Sequence, residues 1–187
     1  ILRSTVSVGC TRDVVVPLLE QTTGLVAGKD FHISFAPERT VEGNALSELR
    51  KLPQVIGGIN RDSVEATAAL FRDLTSTIVR VESLESAEMV KLINNTFRDL
   101  IFSYSNQLSQ IASHFNLDIV EVIRAANQGY PRDRVPLPSP GVGGPCLTKD
   151  PYIMHEVSKK AGLDTTLFLQ GRVINESMCQ LVVDDLI

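Results

Sequence analysis

Residues 55–81 read VIGGINRDSVEATAALFRDLTSTIVRV, and this stretch decides the fold. Val55 to Ile59 is a short β-branched run suited to a buried strand. Asp62 and Glu65 form a capping-box-like pair, and Ala66 to Leu74 carries on as a helix. Ile78 to Val81 is the next β-branched run. A strand, a helix and a strand in that order predict parallel strands joined by a crossover. The same alternation extends upstream. Ile1 to Val6 reads as a strand, and Thr11 or Asp13 can cap a helix that runs to about Thr23 and stops at Gly24. Phe31 to Phe35 (FHISF) is a buried strand ended by Pro37, and Asn44 to Lys51 is a short helix ended by Pro53. The order β-α-β-α-β-α-β predicts the second half of a doubly wound, Rossmann-like parallel sheet over residues 1–83.

After Glu82 the strand signals stop. Val90, Ile93, Phe97, Leu100, Tyr104, Leu108 and Ile111 recur at spacings of three and four, which predicts a long helix. Leu92, Ile101 and Ala112 widen the stripe. It reads either as a core helix or, because so long a helix exceeds what a small domain covers, as a homodimer seam near residues 88–113. Asp118 and Glu121 open another helix, through Ala126. The stretch from Gly129 to Pro145 is crowded with Gly and Pro, a long loop of the kind that is functional or disordered. It is expected to be mobile without ligand. Helices resume from Pro151 to Ala161 and from about Thr165. Residues 84–187 are therefore expected to form an all-α domain.

Composition narrows the function classes. The chain has 187 residues, 43% hydrophobic and 21% charged, with net charge −4. A mildly acidic chain lacks the basic footprint of a nucleic-acid binder. No apolar run is long enough for a membrane helix. Three scattered cysteines and no C-x-x-C argue against a disulfide framework or a zinc site and predict a cytoplasmic protein. The opening ILRSTVSVG lacks a signal-peptide pattern and an initiator Met, and reads as a strand entered part-way.

Three places carry residues suited to chemistry. In Gly141-Val142-Gly143-Gly144-Pro145-Cys146-Leu147-Thr148-Lys149-Asp150-Pro151, glycines allow close backbone approach and a cysteine stands at a helix entrance beside Lys149. Cys146 is either a nucleophile or a cysteine buried behind a Gly/Pro turn. Lys91 and Asn95 share a helix face and can offer two donors to an oxyanion, or are a solvated pair. Pro37-Glu38-Arg39-Thr40-Val41-Glu42-Gly43 follows a strand, where open α/β sheets bind ligands, or is a charged surface loop. Thr5 is expected at the same sheet edge.

Ser4–Val6 (STV), PERTVEG at Pro37–Gly43, EMVKLINNTF at Glu88–Phe97 and GVGGPCLTKDP at Gly141–Pro151, in that order, resemble the UDP-glucose/GDP-mannose dehydrogenase family. The resemblance implies oxidation of the C6 alcohol of a nucleotide sugar to a carboxylate, in two steps that use NAD. By the same resemblance, Cys146 is the nucleophile that forms a thiohemiacetal and then a thioester. Lys91 steadies the oxyanion, with Asn95 as its partner. Glu38 serves acid–base work in thioester hydrolysis, and Asp150 and Thr5 position water. Glu42 lies near substrate and nicotinamide, and Lys149 beside the cofactor. Arg39 and Gly143 fall among the substrate contacts, and Arg132 is where relatives reach into a neighbouring subunit's site. Pro-Glu-Arg and Gly129–Arg132 resemble the UDP-N-acetylhexosamine branch, N-acetylmannosamine dehydrogenases among them, with UDP-glucose the alternative.

The sequence also departs from the family. It has no G-x-G-x-x-G between a strand and a helix, and no second α/β domain for the uridine nucleotide. The 187 residues by themselves are expected to have no dehydrogenase activity. A non-catalytic helical dimerisation module is the competing class. A thiol-redox protein is disfavoured, because no resolving cysteine lies near Cys146.

Overall fold

The computed structural model describes residues 1–163, 165–184 and 186. They divide into two compact units, Ile1–Ile93 and Asn94–Ile187. The break falls inside a helix, ten residues beyond the boundary expected at residue 83.

The first unit begins with an extended segment. A π-helical turn, Thr11–Val15, then runs into α1, Val16–Thr23, which Gly24 ends at φ 71°. Next come β1 (Ser34–Phe35), α2 (Ala45–Lys51), β2 (Gln54–Gly58), α3 (Arg61–Phe71) and β3 (Ile78–Arg80). The sheet order is β1-β2-β3. As the βαβ reading requires, β2 and β3 are parallel, with Val55 opposite Val79. The all-parallel expectation fails at β1, which is antiparallel to β2, with Ser34 opposite Gly58. The reason lies in the connection. Residues 36–53 hold only the seven-residue α2, and the Gln54 amide donates back to the Pro37 carbonyl at 3.2 Å. The chain therefore turns round at one sheet edge instead of crossing over. The expected strand Ile1–Val6 is reduced to a bridge in which Leu2 lies parallel to Phe35.

Period-2 burial divides the core between the two sheet faces. Ala36 and Ile56 pack with Val64, Ala68 and Phe71 of α3. Phe35 and Val55 pack with Leu84 and Ala87. The cap of α3 is Asn60, whose side chain accepts from the Ser63 N–H, in place of the expected Asp62–Glu65 pair. Glu65 instead pairs with Arg80 at 2.8 Å.

Helix α4, Leu84–His114, starts in the first unit and continues in the second. The second unit adds α5 (Ile119–Asn127, capped by Asp118), α6 (Gly144–Leu147), α7 (Asp150–Lys160) and α8 (Leu167–Asp184). The apolar stripe read from the sequence is not the buried face of α4. Ile93, Phe97, Tyr104 and Ile111 are each at least half exposed, whereas Glu88, Leu92, Thr96, Asp99, Ser103 and Asn106 are buried. Among the described residues no helix is long and apolar enough to cross a membrane.

Candidate active site

In the first unit two extended segments run side by side. The Leu2 N–H donates to the Ser34 carbonyl at 2.8 Å, the Ala36 N–H to the Leu2 carbonyl at 2.8 Å, and the Glu38 N–H to the Arg3 carbonyl at 3.3 Å. The segment carrying half-buried Thr5 and the Pro37–Gly43 loop thus leave the sheet at one edge. Arg39 and Glu42 are exposed on that loop, and Lys91 is half-buried on α4.

Glu38 pairs with Arg3, a residue the sequence patterns do not single out. Arg3 also donates to Gln54 Oε1 at 3.1 Å and lies 4.9 Å from the centre of the Phe71 ring. Burial pushes the Glu38 carboxyl up. The Arg3 guanidinium and the Thr40 N–H, 2.9 Å away, outweigh that and hold it at about 2. Held this way, Glu38 is a fixed anion and a weak base. The sign of its pH dependence follows. A carboxyl whose folded value lies below its unfolded one adds stability above about pH 4.5, and loses it as pH falls toward about 2. The side chain is 40% exposed, so the contribution is screened to below about 1 kcal/mol. Glu38→Gln is therefore expected to be slightly less stable than the parent at pH 7 and equal to it near pH 2. Thermal melts across that range measure this, and a gap that widens in acid contradicts it.

A second carboxylate shapes the same unit. Glu88 is 1% exposed and accepts from the Gly9 N–H (2.6 Å), the Thr11 N–H (2.8 Å) and the Thr11 hydroxyl (2.6 Å). This fixes the turn after Val8. It also explains why Thr11 is buried rather than capping α1 with its own side chain. Those amides face a protein carboxylate and do not form an open phosphate cradle.

In the second unit the cysteine stands on the single turn α6. Gly144 takes φ 75°, a conformation barred to most side chains, and a Cβ at Gly143 would lie 3.1 Å from Thr148 Cγ2. Leu147 is buried, and Cys146 next to it is exposed. The reading of Cys146 as a cysteine buried behind the turn is thereby overturned. Four residues on, Asp150 opens α7 fully buried. Its two oxygens accept from Asn95 Nδ2 and Lys149 Nζ. Asn95 is thus turned to Asp150, and the buried carboxylate is satisfied by an amide and an ammonium. Arg132 is exposed, its guanidinium 5.1 Å from the Tyr130 ring centre.

Two asparagines bridge to the loop before the turn. Asn127 donates to the Val135 carbonyl at 2.8 Å and accepts from the Val135 N–H at 3.0 Å. Asn106 does the same to Ser139, at 3.1 and 2.8 Å. Each side-chain amide stands in for a neighbouring strand.

Comparison with known proteins gives the family. The model of the UDP-glucose/GDP-mannose dehydrogenase family, NAD binding domain, matches residues 1–75, and that of its central domain matches residues 85–177. UDP-N-acetyl-D-mannosamine dehydrogenase of Pyrococcus horikoshii is 36% identical over 178 residues, 95% of this chain and 41% of that protein. UDP-N-acetyl-D-glucosamine 6-dehydrogenase of Salmonella typhi is 31% identical over 188 residues, 100% of this chain and 44% of that protein. The solved UDP-D-ManNAc dehydrogenase of Pyrococcus horikoshii superposes with TM-score 0.88 at 35% identity, over 97% of this chain and 42% of that one. The chain spans about two-fifths of the length of these relatives. With its two domain models placed in order along almost the whole sequence, the chain belongs to the UDP-glucose/GDP-mannose dehydrogenase family.

Proposed function

We propose that this chain carries the catalytic residues for oxidation of the C6 alcohol of a UDP-sugar, a UDP-N-acetylhexosamine, to the uronic acid. The observation that carries the reading is the exposed Cys146, set on a glycine-entered turn four residues before the buried, doubly hydrogen-bonded Asp150. When bound, NAD supplies the hydride acceptor for both oxidations, and Thr5, Glu42 and Lys149 are the residues proposed to face it. Arg39, Arg132 and Gly143 are proposed substrate contacts. Lys91 places a positive charge for the oxygen of C6. Cys146 Sγ bonds to C6 of the aldehyde, and the carbonyl oxygen becomes the oxyanion of a thiohemiacetal. After the second oxidation, water held by Asp150 and Thr5 attacks the thioester carbon. The C–S bond then breaks, a proton passes to a carboxylate, and the thiolate is restored. Glu38 takes part as a base only once Arg3 releases it.

A homodimer through α4 near residues 88–113 belongs to the same proposal, supported by the exposed Phe97, Tyr104 and Ile111. That stripe also favours the competing class, a helical assembly module without catalysis. A cytoplasmic setting belongs to the same proposal, on the scattered cysteines of the sequence.

The 187 residues carry no G-x-G-x-x-G, so the test supplies one. Residues 1–187 are grafted in place of the matching stretch of the Pyrococcus horikoshii relative and NADH is measured with a panel of nucleotide sugars. Two NADH per UDP-N-acetylhexosamine are expected, with kcat/KM at least about tenfold above that for UDP-glucose. No NADH with any nucleotide sugar, where the parent relative is active, contradicts the proposal.

A further inference from the structure

Arg172 of α8 is 1% exposed, and none of the roles above uses it. Its Nη1 donates to Asp99 Oδ1 at 2.7 Å and to the Val142 carbonyl at 3.1 Å. Its Nε and Nη2 donate to Glu176 Oε1 at 3.3 and 3.1 Å, and the Tyr152 hydroxyl donates to that same oxygen at 3.3 Å. Val142 lies four residues before Cys146, and Tyr152 six after it. One buried cation therefore reaches both flanks of the cysteine turn.

The network extends further. Asn175 Nδ2 donates to Asp99 Oδ1 at 2.9 Å, and Asn175 Oδ1 accepts from Asn106 Nδ2 at 2.8 Å. Asn106 is the residue that clamps Ser139. Gly171 allows α8 this close to α4, since a Cβ there would lie 2.9 Å from Leu100 Cδ2. Asp99 Oδ2 is buried with no hydrogen-bond partner among the described residues, a cost that a purely stabilising arrangement would avoid. Apolar residues could fill such a space at least as stably. They could not hold the carbonyl of Val142 at one fixed place.

We infer that Arg172 is a positioning residue that sets the Cys146 turn for reaction, acting through Val142 on one side and through Glu176 and Tyr152 on the other. This rests on the reading of Cys146 as the nucleophile. The test compares Arg172→Met and Arg172→Lys with Ile123→Ala, a core substitution in α5 outside the network, each scored against its own loss of melting temperature. In the 187-residue chain, Arg172→Met is expected to speed amide exchange across residues 139–150 at least tenfold more than Ile123→Ala does. In the graft it is expected to lower kcat about a hundredfold with KM within threefold, the scale of a misplaced reacting group. Arg172→Lys, which keeps the charge but not the fork, recovers part of both. Where Arg172→Met does not fold, Arg172→Lys against Ile123→Ala carries the same comparison. Exchange and kcat that merely track melting temperature in every variant overturn the inference. A parent graft that makes no NADH overturns the function proposed above, and the exchange comparison still decides the positioning.

Discussion

Cys146→Ser in the graft is expected to stop net acid formation by about a thousandfold or more while alcohol–aldehyde exchange persists. Serine matches cysteine in shape, and the site is an exposed position of a single turn, so the fold should survive the change. The difference is chemical. A thiol is partly ionised near neutral pH and its thiolate is a good nucleophile and a good leaving group, whereas a serine hydroxyl needs a base to remove its proton. The half-buried Glu38 is tied to Arg3. Asp150 is already engaged by Asn95 and Lys149. Neither of these two carboxylates is poised to activate the serine, and an oxygen ester, if formed, releases acid more slowly than a thioester. The first oxidation does not require a bond to residue 146, so aldehyde reduction by NADH should continue. Separating acid from aldehyde by chromatography, beside NADH counted per sugar, reads both halves. Cys179→Ser, at an exposed position on α8, is the matched control and should change neither. Acid formed by Cys146→Ser at more than a tenth of the parent rate would remove the nucleophile and favour the assembly-module reading.

How far the sequence reaches is clearest on α4. Its length and its exposed apolar stripe are legible because apolar residues recur every three or four positions. Most of the face that the fold buries between Glu88 and Asn106 is polar, and polar residues carry no periodic signal. Asp99 and Asn106 become intelligible only when Arg172 and Asn175 arrive from about seventy positions away. In the same way, Glu38 reads as a loop carboxylate until Arg3 is seen beside it. Val55–Val81 reads correctly because its strands and helix are local features. The reversed β1 does not, because parallel and antiparallel pairing differ only in the path of residues 36–53, which propensity does not report. Cys146 is picked out by its Gly-Pro surroundings and Asp150 only by the family resemblance, and nothing in the sequence pairs the Asn95 amide with Asp150.

Gly57→Ala is the substitution expected to damage the fold most. Gly57 sits in the middle of β2, which is buried along its whole length. A Cβ there would lie 2.0 Å from the Ser83 carbonyl oxygen and 2.9 Å from Ala87 Cβ. The first of these is backbone and cannot rotate away. The start of α4 is itself fixed, since Leu84 and Ala87 are fully buried in the core cluster with Phe35 and Val55. The Val81 N–H also donates to the Ile56 carbonyl at 2.9 Å, tying the approach to α4 to the same strand. To admit one methyl, the sheet and the helix must separate by more than a bond's slack. Overpacking costs about 1–3 kcal/mol where side chains can give, and more where they cannot. About 3 kcal/mol or more is expected here, or roughly 6–12 °C in melting temperature for a domain of this size. Gly24→Ala, at φ 71° with nothing within 4 Å of the added carbon, should cost only about 1 kcal/mol and serves as the control. The effect should also reach the chemistry. Lys91 stands seven residues beyond Leu84 on α4, so lifting the start of the helix moves the charge proposed for the C6 oxygen. In the graft, Gly57→Ala should therefore lose more activity than its folded fraction accounts for. A Gly57→Ala chain that melts within 1–2 °C of the parent would show that α4 does not rest on the β2 backbone as closely as the structure has it.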